Sequence, residues 1–411
     1  MSKVAPPPLD PKSLQAIPGP RTGSGSGTAA VRRPRLRALD GLRLVAALMV
    51  VLFHWVGVNR YPTVWGGTPE KLMPVLHAFS AYGFLGVQLF FLISGFVICM
   101  SCWGRTPRQY FTSRVVRLFP AYWVAILLTG LVVNYAATAR PTRGHLTLGD
   151  FLSNMTMLQQ PLGVAEVDPV YWTLWVELRF YLIFAFVVAL GLTYRRVLVF
   201  CGIWMVLSVV VPGTDMKMLE LFVMPEYAPY FIGGVIMYLI YRFGANWLLL
   251  ASVGFTFLVA QHQLVGTGNS FKYGVMHAIS WEVMVVVCLI AYAVVLAAAM
   301  GAFDRIQWKW LTTAGALTYP VYLLHQEIGF ALIRWFRNLG MGAWPTLGAV
   351  LTALLVLSWL VHRYAERPLS ALMRRMLDAP GLALPKSDPP VRSRAATTER
   401  PAVPAEGAST R

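Results

Sequence analysis

The chain has 411 residues, 57% hydrophobic and only 13% charged, with a formal net charge of +17 and a mean hydropathy of +0.58. A water-soluble domain this rich in Leu, Val and Phe would lack polar side chains to cover its surface, and a β-barrel would need a period-two alternation that is absent. The basic excess reads as membrane topology and lipid-headgroup contact, and with no nucleic-acid fold or aromatic-interleaved basic module beside it, no nucleic acid is expected as a partner.

Residues 1–37 form a Pro-, Gly- and Ser-rich tail that ends in Arg32, Arg33, Arg35 and Arg37, a composition expected to stay disordered. Ten apolar runs follow, near 41–58, 83–102, 119–139, 172–192, 196–212, 228–243, 246–262, 281–301, 312–333 and 344–363. They predict an all-α fold, a polytopic transmembrane helical bundle of about ten spans within residues 38–376. Residues 377–411, rich in Pro, Ala and Arg, are expected to be a second disordered tail. Arginines abut the first span, and Arg367, Arg374 and Arg375 follow the last. The expected protein is therefore multi-pass in the cell membrane with both termini cytoplasmic, as an even number of spans requires. The first run follows a long tail and ends without an A-x-A-like site, so it reads as a retained span and not a signal peptide.

That first run begins Asp40-Gly-Leu-Arg43 and reaches His54 eleven positions after Arg43. Eleven steps of about 100° close roughly three turns, so the two side chains share a helix face about 16 Å apart in depth. A permanent cation at one end and an imidazole deep in the span suggest an anion held at one surface and proton chemistry within. The second span carries Phe-Leu-Ile-Ser94-Gly95-Phe96 and the pair Cys99 and Cys102. In a packed helix this C-x-x-C reads as small apolar packing. Arg105, Arg108, Arg114 and Arg117 precede the third span, with Arg114 and Arg117 at i, i+3 on one face and Tyr122 five residues further on. Such a guanidinium pair can fork around a phosphate; the plainer reading is positive-inside topology.

The fourth span, beginning Tyr171-Trp172, places Glu177 at a depth expected to match His54, and the ninth places His325 past the midplane. The three groups are expected to form one proton-handling layer; the structural alternative is an interhelical hydrogen-bond cluster. Arg179, about 200° around the helix from Glu177, needs a carboxylate, carbonyl or aqueous cavity of its own. There is no H-E-x-x-H, no Walker loop and no G-x-G-x-x-G after a strand, so neither a metal nor a tightly bound cofactor is expected.

Six ordered motifs resemble one family. They are Arg43-x10-His54 after Leu-Asp40-Gly-Leu, Phe-Leu-Ile-Ser94-Gly95-Phe96, Arg114-Val-Val-Arg117-Leu-Phe-Pro120-Ala-Tyr122-Trp, Trp172-Thr-Leu-Trp-Val-Glu177-x-x-Phe-Tyr181, Tyr319-x-x-Tyr322-Leu-x-His325 and Glu366-Arg-Pro368. Between about residues 35 and 375 the chain is similar to the membrane acyltransferase-3 family. The resemblance implies an O-acyltransferase that moves an acyl group, usually acetyl, from acyl-CoA as co-substrate to a hydroxyl of a cell-surface or lipid-linked carbohydrate. It implies His54 as the catalytic base and Arg43, Arg114 and Arg117 as the donor-binding cations. Glu177 is the expected holder of the His54 tautomer, with Asp40, Ser94, Tyr122 and His325 as further site candidates. Leu44, where many members have Gly, and Leu178-Arg179, where a polar pair is usual, depart from the pattern. No extracytoplasmic hydrolase-like domain is expected.

Two alternatives remain open at this stage. The acceptor is then a small glycosylated natural product such as a macrolide, or the chain is a transporter of an anionic metabolite or lipid-linked sugar. A transporter should show half-to-half repeats or matching broken helices, and the sequence shows neither. The oligomeric state and the choice between direct base catalysis and an acyl-His54 intermediate have no sequence signature.

Overall fold

The computed structural model describes residues 36–135, 146–275 and 279–377; the two expected disordered tails lie, but for their inner edges, outside these. Among the described residues regular structure is helical throughout, with no strand. Helix α1 (Arg37–Leu52) continues into a π-helical turn, Phe53–Gly57. Then come α2 (Gly86–Cys102), α3 (Pro107–Tyr135), α4 (Trp172–Ala189), α5 (Tyr194–Val210) and α6 (Ala228–Phe243). They are followed by α7 (Trp247–Val275), α8 (Trp281–Ala299), α9 (Lys309–Leu324), α10 (Glu327–Asn338), α11 (Ala343–Leu360) and α12 (Arg367–Leu377). Among the described residues nine helical segments are long and apolar enough to cross a bilayer. The protein is an all-α, multi-pass membrane protein.

The span expected at 312–333 is not one helix. It is interrupted at His325–Gln326 into α9 and α10. Side chains take over hydrogen bonds at the break. Nδ1 of His325 contacts the Tyr322 carbonyl at 2.6 Å, and Trp55 Nε1 donates to the His325 carbonyl at 2.8 Å. Asp168 accepts from the Glu327 amide at 3.2 Å, satisfying a donor that the first turn of α10 leaves open. Close contacts align this broken pair with α1. A Cβ on Gly315 would stand 2.6 Å from that of Asp40, and one on Gly329 would stand 2.4 Å from Trp55 Nε1. Numbers rise together along both partners, so α9 and α10 run parallel to α1.

The π turn at the end of α1 shifts carbonyls out of the regular ladder, and the short segment that follows receives them. Trp65 Nε1 donates to the Trp55 carbonyl at 2.7 Å, and His77 Nδ1 to that of Val56 at 2.6 Å. The widened turn is thus fixed by two indole and imidazole donors that helix geometry alone would not provide.

Small residues set the tightest helix pair. A Cβ on Gly95 of α2 would lie 2.1 Å from the Phe231 carbonyl oxygen of α6, and one on Gly234 would lie 1.9 Å from that of Leu92. Only glycine permits these backbones to touch, which is how helices associate where lipid removes the hydrophobic drive. The lipid-facing surface is legible on α5, where Val199, Ile203, Val206 and Val210 recur at helical spacing and are exposed. All four cysteines are buried and free. Cys102 Sγ donates to the Ile98 carbonyl at 2.7 Å, the satisfied packing role the sequence suggested.

Candidate active site

His54 is the second residue of the π turn, and its neighbours define its proton inventory. Its Nδ1 lies 3.0 Å from the Val50 carbonyl oxygen and 3.0 Å from Nε2 of His325. A carbonyl oxygen only accepts. Nδ1 of His325 therefore donates to Tyr322, and in the neutral ring its Nε2 is an acceptor. Nδ1 of His54 faces two acceptors and carries the proton. The hydrogen-bond partners thus assign a tautomer in which Nε2 of His54 keeps its lone pair. His54 lines a cavity of about 310 Å³ with Gln88, Trp172, Glu226, Tyr227, Gln263 and Tyr322 among its neighbours.

The scaffold that holds His325 is built from three elements. Trp55 from the π turn binds its carbonyl. The Tyr322 hydroxyl, one turn earlier on α9, is 2.7 Å from Thr173 Oγ1 and 3.2 Å from the Val170 carbonyl. Asp168 caps the following helix and also accepts from Val170 N at 3.2 Å. His325 is fully buried. Asp168, Trp55 and Trp65 were not singled out from the sequence; Asp168 lies in an Asp-Pro step beside a span, an N-cap signal that could have flagged it.

A second cavity, about 50 Å³, lies toward the Arg43 end and is lined by Arg43, Ser94, Glu177, Thr318 and Tyr319, among others. It shares Val87 and Tyr322 with the His54 cavity. Here the expected pairing of Glu177 with His54 is corrected. Glu177 accepts from Ser94 Oγ at 3.2 Å and from the Tyr181 hydroxyl, while His54 has His325. The depth estimate failed because the fourth crossing begins at Pro169 with a 3₁₀ turn, three residues before the expected start. Glu177 is then about 12 Å from that end, whereas His54 is about 5 Å from the end of its own crossing at Gly57. The carboxylate is displaced toward Arg43.

The three arginines converge on the same region. Arg114 lies over the rings of Tyr110 and Tyr181, 6.0 and 5.8 Å from their centroids, and donates to Ser101 and Ser113 at 3.2 Å. Arg43 is in electrostatic reach of Arg117, Glu177 and Asp40. Among the described residues none of Arg43, Arg114 and Arg117 forms an ion pair. Three guanidiniums around two carboxylates leave a positive cluster suited to an anion with several oxygens. Arg108 is drawn elsewhere, donating to the Leu377 carbonyl at 2.7 Å, and Arg105 is exposed.

The remaining candidates fall outside the reacting region. Asp40 packs on Gly315 at the α1–α9 contact. Tyr122 is buried, its ring 5.1 Å from that of Tyr171, and is not among the residues lining either cavity. Ser94 serves Glu177. Arg179 finds one of the partners it needed, donating to the Leu221 carbonyl, and also lies 5.3 Å over the Trp175 ring. No group of three or more His, Cys, Asp or Glu suited to a metal occurs among the described residues.

Residues 36–363 match the family model described as an acyltransferase domain, the third acyltransferase family of that naming. The chain belongs to the acyltransferase-3 family. It is similar to the acyltransferase MdmB of Streptomyces mycarofaciens, 25% identical over 387 residues that cover 83% of this chain and 93% of the relative. Over shorter stretches it is similar to the exopolysaccharide production protein ExoZ of Rhizobium meliloti (34% identical; 25% of this chain, 33% of the relative). It is likewise similar to the peptidoglycan O-acetyltransferase OatA of Listeria monocytogenes (23%; 46% of this chain, 31% of the relative). No solved structure matches the chain. This membrane acyltransferase is an O-acyltransferase by family, which places it among enzymes and sets aside the transporter reading.

Proposed function

We propose that this acyltransferase moves an acyl group, acetyl by preference, from acyl-CoA to a hydroxyl of a cell-surface or lipid-linked carbohydrate. The observation that carries the proposal is the lone pair of His54 Nε2, left free by two acceptors on Nδ1 and opening on a 310 Å³ cavity. The Arg43 end is assigned to the cytoplasm, where acyl-CoA is found, and the arginine-rich flanks of the first and last spans support that orientation. Relatives named for exopolysaccharide production and for peptidoglycan O-acetylation support a carbohydrate acceptor.

In this reading the donor phosphates rest on Arg43, Arg114 and Arg117, and the pantetheine arm carries the thioester about 16 Å along α1 to His54. A 50 Å³ cavity does not hold such an arm, so Val87 and Tyr322, shared by both cavities, give way when it enters. The acceptor hydroxyl passes its proton to His54 Nε2 as its oxygen bonds to the thioester carbonyl carbon. The C–S bond then breaks, and the CoA thiolate takes the proton back from His54. His325 is a positioning residue, its Nε2 accepting the hydrogen bond from His54 Nδ1–H and so stabilising the imidazolium. No metal and no bound cofactor enters the scheme.

The test is release of CoA thiol by the purified protein from acetyl-CoA, with mass spectrometry of glycans and metabolites from cells with and without the gene. A mass shift of one acetyl on a glycan, absent without the gene, is expected. Acetylation confined to a non-glycosylated metabolite would refute the acceptor class.

A further inference from the structure

The 310 Å³ cavity holds features that proton transfer at His54 does not use. Gln88 projects from α2 into its wall with only 7% of its surface exposed, and its amide oxygen is buried with no hydrogen-bond partner. An unpaired carbonyl in such a place is costly unless a ligand donor reaches it. Trp172 and Tyr227 stand in the same wall, their ring centroids 5.6 Å apart. Glu226, exposed, and Gln263 line both this cavity and a shallower recess with Arg179 and Lys217, so the cavity is reached from the surface past them.

An aromatic pair beside a carboxylate and amides matches the chemistry of a sugar ring. Its C–H face lies on aromatic rings, while its rim of hydroxyls both donates and accepts. The volume is at the lower end of ligand pockets, about 300–1,000 Å³, which suits one or two rings and not a length of polymer. We infer that this cavity is the acceptor subsite, that a pyranose ring lies on Trp172 and Tyr227, and that a hydroxyl neighbouring the acylated one donates to Gln88. The inference rests on the acyl-transfer reading above and deepens it. Gln88 is then the specificity-determining residue: an acceptor lacking that neighbouring hydroxyl leaves the amide oxygen buried and unpaired, and is rejected.

The probes are methyl β-D-glucopyranoside, its galacto and manno epimers, their monodeoxy analogues and the linear alcohol 1-hexanol, each offered with isotopically labelled acetyl-CoA. The wild-type protein is expected to acetylate at least one pyranoside and to favour it about ten- to hundredfold in kcat/KM over the analogue deoxygenated beside the acetylated position. Gln88→Met is expected to abolish that discrimination, and Trp172→Ala to raise acceptor KM by about tenfold or more, with acetyl-CoA KM unchanged in both. If Gln88→Met does not fold, the deoxy series on the wild-type protein decides alone. Equal rates across the deoxy series, acceptor KM unchanged in both variants, or transfer to 1-hexanol as fast as to any pyranoside overturns the subsite while acyl transfer stands. So does acetyl-CoA consumption with native membranes as acceptor source but with none of the pyranosides. No thioester consumption with any acceptor removes the acyl-transfer reading, and the subsite falls with it.

Discussion

Replacing His325 separates a positioning role from a packing role. In the resting enzyme His54 Nδ1–H is shared between Val50 and His325 at 3.0 Å each, so removal of one acceptor does not by itself invert the tautomer. When His54 takes the acceptor proton, the bond from its Nδ1 becomes charge-assisted, worth about 1.5–3 kcal/mol against about 0.5–1.5 for a neutral one. Only the difference, about 1–1.5 kcal/mol, bears on kcat, so at about 1.36 kcal/mol per tenfold His325→Met, which keeps an unbranched side chain but offers no comparable acceptor, should lower kcat by about 5- to 13-fold. His325→Gln offers an amide oxygen at a similar reach and should recover a large part of that loss. Neither should move acetyl-CoA KM, because the donor cluster lies at the far end of α1. The assay is steady-state CoA release with both substrates varied, on protein shown to be monodisperse and to bind CoA. Equal losses in Met and Gln variants, or a fall in CoA affinity parallel to kcat, would refute the reasoning and leave His325 as packing for the α9–α10 break. A Met variant with wild-type kcat would refute it outright.

His54→Ala is expected to lower acyl transfer by about 10²–10⁴-fold, the range for loss of a general base, with CoA binding nearly intact; a calorimetric CoA titration beside the turnover assay checks both. His325→Met added to His54→Ala should be scarcely worse than His54→Ala alone, since the two rings act as one unit. The pair Arg114→Ala and Arg117→Ala should weaken acetyl-CoA binding far more than binding of acetyl-pantetheine, which has no phosphates for a guanidinium fork. Equal losses for the two donors would return these arginines to topology or folding. Gly234→Ala forces a methyl to within 1.9 Å of the Leu92 carbonyl and should destabilise the α2–α6 pair by about 1–3 kcal/mol, read as a lower thermal midpoint in detergent.

The sequence by itself determined the class and the residues that share a helix face. Apolar run length is set by bilayer thickness, and the 3.6-residue period places Arg43 and His54 on one stripe without reference to any other helix. The cysteines were legible for the same reason, as small apolar residues on apolar runs. Partnership between helices was not legible. Glu177 was expected ahead of His325 as the partner of His54, because depth along one helix says nothing of which neighbours flank it, and an error of three residues at a helix start moves a side chain by about 5 Å. Only the tertiary structure gave His325 to His54 and Glu177 to Ser94 and Tyr181. It alone placed the break at His325–Gln326, since the donor and acceptor that replace the lost ladder come from Trp55, 270 positions from His325, and Asp168, 159 positions from Glu327. Gln88 is silent in the sequence for the same physical reason: an amide in an apolar run is notable only once its oxygen is seen to be buried without a hydrogen-bond partner in the wall of a cavity.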